Sequence, residues 1–206
     1  MNSLKRIVFF FRKNGLATTG FRLWTAINRF RYLGRMFLYS CRLPVPGPFT
    51  DEGVAVERVV EGAIPEEDRS RLLDSPFPAD RARQIEARFA AGSILWLARV
   101  DGILAGYGWT LQGNTVEPYF FPLQKEDIHF YDFFVYPEFR GRGINVVLVN
   151  QILYALDKLS MRRALIECAA WNDSQIRSLG KTRFRLHAIA SKWILGGRTL
   201  VLWHRG

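Results

Sequence analysis

Residues 127–145 hold two sets of groups that can do chemistry. The run Val135-Tyr-Pro-Glu-Phe-Arg-Gly-Arg-Gly-Ile-Asn145 places Arg140, Gly141, Arg142 and Gly143 directly ahead of an apolar pattern with helical spacing. The first N–H groups of a helix have no intrahelical acceptor and the helix dipole adds partial positive charge, so such a turn binds anions. Two glycines let an anion reach the backbone with no Cβ in the way, and two arginines add full charge. A pyrophosphate suits that donor set; the plainer reading is a surface turn with solvated arginines. Just upstream, Asp127, His129, Tyr131 and Asp132 fall in one strand-like run. An imidazole, with an ordinary pKa near 6.5, suits a general base at neutral pH, and the two carboxylates compete for that role.

These groups need a strand, a turn and a helix start to hold them. Residues 128–135 are rich in β-formers, and residues 144–159 carry apolar side chains at 144, 148, 152, 155, 156 and 159. Strand alternation predicts His129, Tyr131 and Phe133 on one face and Asp132 with Phe134 on the other, so at most one set faces a substrate. Around this piece the pattern predicts a strand over 54–61, helices over 66–73 and 79–91, and strands over 94–100 and 103–111 joined by the Asp101-Gly102 hairpin turn. An irregular aromatic stretch, 112–123, follows, where Tyr119, Phe120 and Phe121, with Trp109 before them, suit an acceptor pocket or simple packing over the core. Beyond the central helix come a strand over 164–171, a helix over 172–181, and strands over 186–195 and 199–205 around Gly196-Gly197.

A nucleotide-binding P-loop is excluded because the loop lacks a Gly-Lys-Ser/Thr ending, and a dinucleotide fingerprint is excluded by Val146 at its third glycine. The loop resembles the coenzyme A loop of the GNAT superfamily of N-acetyltransferases, Val-x-Pro-x-x-Arg/Gln-x-x-Gly-x-Gly/Ala ahead of a long helix. Val135, Pro137, Arg140 and Gly143 match, and Asn145 departs from the last position. The resemblance implies an α/β (α+β) fold over residues 54–206, a mixed central sheet with flanking helices. It implies acetyl-CoA as co-substrate, with no metal, and transfer of the acetyl group to an amine such as an amino sugar by direct attack. Arg140, Gly141, Arg142, Gly143, Ile144 and Asn145 would hold the pyrophosphate, and the backbone of Phe133, Phe134 and Val135 would pair with pantetheine. His129, six residues before Val135, resembles the family's general-base position, with Asp132 as competitor and Glu167 as a third choice. Asn172-Asp-Ser-Gln-Ile-Arg-Ser-Leu-Gly-Lys-Thr-Arg-Phe184 is similar to the family's Asn-x-x-Ser/Ala…Gly-Phe segment, which would put Asn172 and Ser174 on coenzyme A. Leu179 stands where that segment often has a proton-donating tyrosine, and Arg183 replaces its glycine, so water, Ser178 or Tyr131 would have to serve. That departure motivates a competing reading, a non-catalytic acyl-CoA-sensing or polyanion-binding protein.

Charge is concentrated ahead of this domain. Residues 1–50 contain nine Lys and Arg and no Asp or Glu. Between them, Leu4, Ile7, Val8 and Phe11, then Leu23, Trp24, Ile27, Phe30, Leu33 and Phe37, predict a basic amphipathic helical segment. Docking on the domain and contact with an anionic membrane surface through residues 1–43 rank equally; no nucleic-acid module is recognisable, and a transit peptide is a further reading. Pro44-Val-Pro-Gly-Pro48 reads as the boundary, with the domain starting near Val54. No apolar run approaches the roughly 20 residues of a membrane-spanning helix. Two cysteines, Cys41 and Cys168, build no disulfide framework and point to a reducing compartment, so a cytoplasmic protein at the inner membrane face is expected. The three histidines have no metal-ligand spacing.

Overall fold

A computed structural model describes residues 34–46, 53–60, 64–115, 122–157, 161–195 and 198–204. Its strands are β1 (Arg35–Arg42), β2 (Ala55–Val59), β3 (Ile94–Val100), β4 (Ile103–Gln112), β5 (Asp127–Val135), β6 (Arg163–Ala169), β7 (Arg185–Leu195) and β8 (Arg198–His204). The helices are α1 (Glu66–Leu72), α2 (Pro78–Ala90), α3 (Ile144–Asp157) and α4 (Asp173–Leu179). One mixed sheet runs β2-β3-β4-β5-β6-β1-β7-β8, and only β5 and β6 are parallel neighbours. The β3–β4 hairpin turns where expected: Asp101 (φ 51°) and Gly102 (φ 77°) both take the left-handed backbone that a tight hairpin turn needs.

The boundary near Val54 needs correction. β1 is no part of a basic helix: it lies inside the sheet, paired with β6 from Met36↔Ala169 to Arg42↔Arg163 and with β7 on its other edge. Leu38 is fully buried, and even Val45, within the proline-rich stretch, joins the core. A strand covered on both faces reads as an unbroken apolar run, which helical spacing also tolerates in so short a piece. The helical expectation for residues 1–33 lies outside the described residues.

Helix α2 covers one sheet face, where Phe89 meets Trp109 edge-on with ring centroids 5.1 Å apart. Helix α3, with Leu148, Ile152, Leu153 and Leu156 fully buried, packs against β3, β4 and β5. Phe184, just beyond α4, meets Phe130 edge-on at 5.3 Å.

The alternation expected along β5 also fails, for a local reason. Tyr107 stands opposite Phe134 and Trp109 opposite Tyr131, so Asp132 and Phe133 together face Gly108: a β-bulge. Asp132 takes φ 50°, a left-handed backbone that Asp tolerates better than most residues. The extra residue resets which side each later residue faces. Phe133 turns away from His129 and Tyr131, stacks on Phe130 at 5.8 Å, and fills the space over Gly108, where an added Cβ would lie 2.4 Å from its ring. Phe134 comes round to the face of Tyr107, whose ring it stacks on at 5.5 Å. Asp132 reaches that same face, ion-paired with Arg81 and Arg88 of α2.

Candidate active site

The site forms where two parallel strands part. β5 and β6 are paired only from Asp127↔Arg163 to Phe130↔Ile166, whereas β5 stays paired with β4 as far as Val135↔Gly106. From Tyr131 onward the β6-facing edge of β5 has no strand partner among the described residues, so the backbone of Phe133–Val135 can pair with an extended ligand. β6 itself continues past the parting, paired on its other edge with β1 as far as Met36↔Ala169.

The open edge leads into the glycine loop. A short 3₁₀ turn, Pro137–Phe139, is followed by Gly141 and Gly143, both at φ 79°, before α3 begins. A Cβ added at either glycine would meet nothing within 4 Å, so the backbone conformation demands glycine and the space before it is open. The first helical bonds run from the N–H groups of Val146 and Val147 to the Gly143 carbonyl, at 2.8 and 3.1 Å. The N–H groups of residues 143–145 precede them and have no intrahelical acceptor. Arg140 folds back, its Nε donating to the Val135 carbonyl at 3.2 Å and its guanidinium standing 5.8 Å from the Phe134 ring centroid. Arg142 is exposed, with its guanidinium 5.5 Å over Phe139. Asn145 points elsewhere: its Nδ2 donates to Ser178 Oγ at 2.7 Å, fastening the start of α3 to α4. Asn172 is the N-cap of α4, its side chain accepting from Gln175 N at 3.2 Å, and Ser174 is exposed in the first turn.

The titratable groups sort differently from the sequence expectation. His129 is buried at 4 % exposure, and burial lowers its pKa to about 4, so it does not titrate in the neutral range expected of a base. The poise near neutrality that motivated it is lost because Leu165 stands opposite it and Tyr131 stacks on it at 5.3 Å. Asp127 is a clasp: burial pushes its carboxyl up, but hydrogen bonds from Arg163 at 2.6 and 2.9 Å and from Gln124 N outweigh that and hold it below the usual range. Tyr131 donates its hydroxyl to Ser93 Oγ at 2.7 Å. Glu167, two residues past Leu165 on β6, shares the face of His129. Asp132 and Glu167 are therefore the carboxylates that flank the gap on the α2 face. Leu179 is fully buried and offers no proton, and Ser178 Oγ accepts from Asn145. Burial, partly offset by the nearby Arg71, pushes the Tyr136 hydroxyl up to about 12.

Two groups escaped sequence reasoning. Arg81 and Arg88 sit seven residues apart on α2, a spacing that puts them on one helix face, but only the fold reveals Asp132 as their shared partner. Arg81 also donates to the Tyr107 hydroxyl at 2.6 Å, and the Arg88 guanidinium stands over Trp109 and Tyr131 at 5.2 and 5.3 Å. In the proposed acceptor stretch, Trp109 is a core residue at 1 % exposure, while Tyr119, Phe120 and Phe121 lie outside the described residues. Among the described residues no group of three His, Cys, Asp or Glu could hold a metal ion, and no helix is long and apolar enough to cross a membrane.

The model of the acetyltransferase (GNAT) family matches residues 63–181. No curated protein matches the chain. Among solved structures, a GCN5-related N-acetyltransferase from Sphaerobacter thermophilus aligns with a TM-score of 0.55 at 16 % identity, over 84 % of this chain and 54 % of that one. A tandem GNAT protein from the clavulanic acid biosynthesis pathway aligns with a TM-score of 0.53 at 18 % identity, over 75 % and 51 %. A GNAT-family acetyltransferase from Colwellia psychrerythraea gives 0.53 at 11 %, over 74 % and 52 %. The chain thus spans about half the length of these structures, and at such identities they speak for the fold alone. The family model, by contrast, covers more than half of the sequence, including the parting strands, the glycine loop and α4: the chain belongs to the GNAT family of acetyltransferases.

Proposed function

We propose that this protein transfers the acetyl group of acetyl-CoA to the amine of a small acceptor in the cytoplasm, by direct attack. The observation that carries the reading is the one-sided pairing of β5, which leaves the Phe133–Val135 backbone without a strand partner among the described residues, only the Val135 carbonyl being met by Arg140 Nε, and runs straight into a glycine loop at a helix start. Residues Arg140 to Asn145 hold the pyrophosphate, the β5 edge holds pantetheine, and Asn172 and Ser174 line the far side. The amine nitrogen attacks the thioester carbonyl, the C–N bond forms, the C–S bond breaks, and the proton lost by nitrogen ends on the coenzyme A sulfur. Asp132 and Glu167 are the groups placed to accept that proton, directly or through water, in place of the buried His129. Water or the Tyr131 hydroxyl returns it to sulfur. The free, buried cysteines Cys41 and Cys168 suit a reducing compartment.

Calorimetry with acetyl-CoA tests the donor site. In Gly143→Val a β-branched residue must take φ 79° at the mouth of the loop, so affinity should fall at least about 100-fold. Unchanged affinity would sink the assignment. A panel of amines then tests transfer: tight acetyl-CoA binding with no turnover on any amine would favour a non-catalytic acyl-CoA sensor, the reading to which the buried Leu179 lends support.

A further inference from the structure

The two arginines of α2 bring more donors to the gap between β5 and β6 than the described residues accept. Asp132 takes Nη1 of Arg81, at 3.3 Å, and Nη1 of Arg88, both on its Oδ2. Arg81 gives its Nη2 to the Tyr107 hydroxyl at 2.6 Å. Nothing among the described residues accepts from Arg88 Nε or Nη2, and neither nitrogen is sealed from solvent, although the residue as a whole is only 9 % exposed. The buried Trp109, whose ring centroid lies 5.2 Å from the Arg88 guanidinium, also has an indole N–H with no acceptor among the described residues. Charge is unbalanced in the same sense, because two guanidiniums share one carboxylate. A guanidinium taken out of water needs its donors met and its charge opposed, and the aromatic faces of Trp109 and Tyr131 oppose it only in part.

The shape of the unmet donors selects the group that answers them. Nε and Nη2 form one edge of a guanidinium, two parallel N–H groups spaced to meet both oxygens of a carboxylate. The chain uses that edge itself at the start of β6, where Arg163 Nε and Nη2 grip the two oxygens of Asp127 at 2.9 and 2.6 Å. At Arg88 the same edge is turned away from Asp132, which is met by Nη1. Asp132 in turn receives no hydrogen bond on Oδ1 among the described residues. A guanidinium edge and a carboxylate oxygen thus stand ready on the two sides of one ion pair.

We propose that the acceptor is a free amino acid, its carboxylate bound by the Nε–Nη2 edge of Arg88 and its ammonium group by Asp132 Oδ1. This rests on the acetyl-transfer reading above and narrows its acceptor. The two binding points belong to side chains in direct contact, so the acid and the amine of the ligand must lie only a few bonds apart. A lysine within a protein has no carboxylate at that separation, and a neutral amino sugar has no acid to offer the arginine.

Acetyl transfer by the full chain is measured on the common amino acids and on their carboxamides. The best amino acid should exceed its own carboxamide at least about 100-fold in kcat/KM, chiefly through KM. In Arg88→Gln the ratio should shrink to within about threefold, because the acid loses its partner and the amide loses little, whereas a merely structural Arg88 would lower both alike. Calorimetry with acetyl-CoA reports whether the variant is folded. If it is not, Arg88→Lys, which keeps the charge and loses the fork, should narrow the ratio at least about tenfold; if neither folds, the wild-type ratio is the test. Carboxamides or amino sugars turned over by the wild type as well as the acids, or a ratio unchanged in a folded Arg88 variant, overturns the proposal and leaves acetyl transfer intact. Where no amine is turned over, calorimetry of the same amino acids and carboxamides on protein saturated with coenzyme A decides. Binding that requires the carboxylate upholds the site and refutes the transfer, and binding that ignores it, or none, overturns both.

Discussion

Over its first four residues, Asp127–Phe130, β5 is paired with β6, and from Ile128 with β4 as well, and every side chain is buried; over its last five it keeps only β4, and its side chains are half-exposed or exposed. The first half does what a central strand does. Its backbone groups are saturated by neighbours, so side-chain packing is its whole contribution. In the second half the edge of the backbone that faces β6 has no strand partner among the described residues, and the side chains hold the strand in place: Phe133 against Gly108, Phe134 on Tyr107, Asp132 on two arginines. A single left-handed residue separates the two regimes.

The comparison breaks most sharply if packing energy is not concentrated in the paired half. Phe130 is fully buried between Phe133 and Phe184, so Phe130→Ala should cost about 3–5 kcal/mol by denaturant titration. Phe134 is only partly buried, and Phe134→Ala should cost less than half as much while raising the KM for acetyl-CoA. Equal losses of stability would mean that the parting strands are packed as tightly as the closed ones.

The next effect is smaller and depends on pH. Burial holds the His129 pKa at about 4 against an ordinary 6.5, so the unfolded chain takes up a proton that the folded one excludes. The neutral imidazole is accommodated fully above pH 6.5, and stability should fall as pH drops from 6.5 through 4, by up to about 3 kcal/mol in all. His129→Gln should flatten that part of the stability profile and leave the pH dependence of kcat/KM unchanged. A kcat/KM profile that loses its limb near neutrality in this variant would return His129 to the role of base.

These halves were not equally legible in the sequence. The turn at Asp101-Gly102, the glycine loop and α4 with its Asn172 cap rest on local signals, namely positive φ, exposed helix N–H groups and an Asx cap, and each can be read from a few adjacent residues. Periodicity gave β5 as a strand but assigned its faces wrongly beyond Tyr131, because nothing in Tyr-Asp-Phe announces that Asp132 will turn left-handed. His129 looked poised for catalysis because composition gives an imidazole's ordinary pKa and says nothing about its burial. β1 was misread because its antiparallel partners, β6 and β7, lie more than a hundred residues away. The Asn145–Ser178 and Asp132–Arg88 contacts are long-range as well, and no local pattern carries them.

The finest test separates what Asp132 does with its backbone from what it does with its carboxylate. At φ 50° most L residues carry a strain of roughly 1 kcal/mol, which glycine escapes. The carboxylate, in turn, holds Arg81 at 3.3 Å and Arg88 more closely, and both arginines belong to α2. Asp132→Gly keeps the bulge and loses the ion pairs; Asp132→Ala loses the ion pairs and strains the bulge. If the bulge sets the parting of β5 from β6, Asp132→Ala should be about 1 kcal/mol less stable than Asp132→Gly, although alanine normally outperforms glycine inside a strand. The same logic splits the kinetics. If pantetheine pairs with the backbone edge, as proposed, the KM for acetyl-CoA should rise in Asp132→Ala and stay near wild type in Asp132→Gly. By contrast kcat should fall in both if the acceptor amine meets the carboxylate. Should the two variants match in stability and in KM, the left-handed residue is incidental to donor binding, and the line between the two halves of β5 must then be drawn by the end of β6 pairing at Phe130 alone.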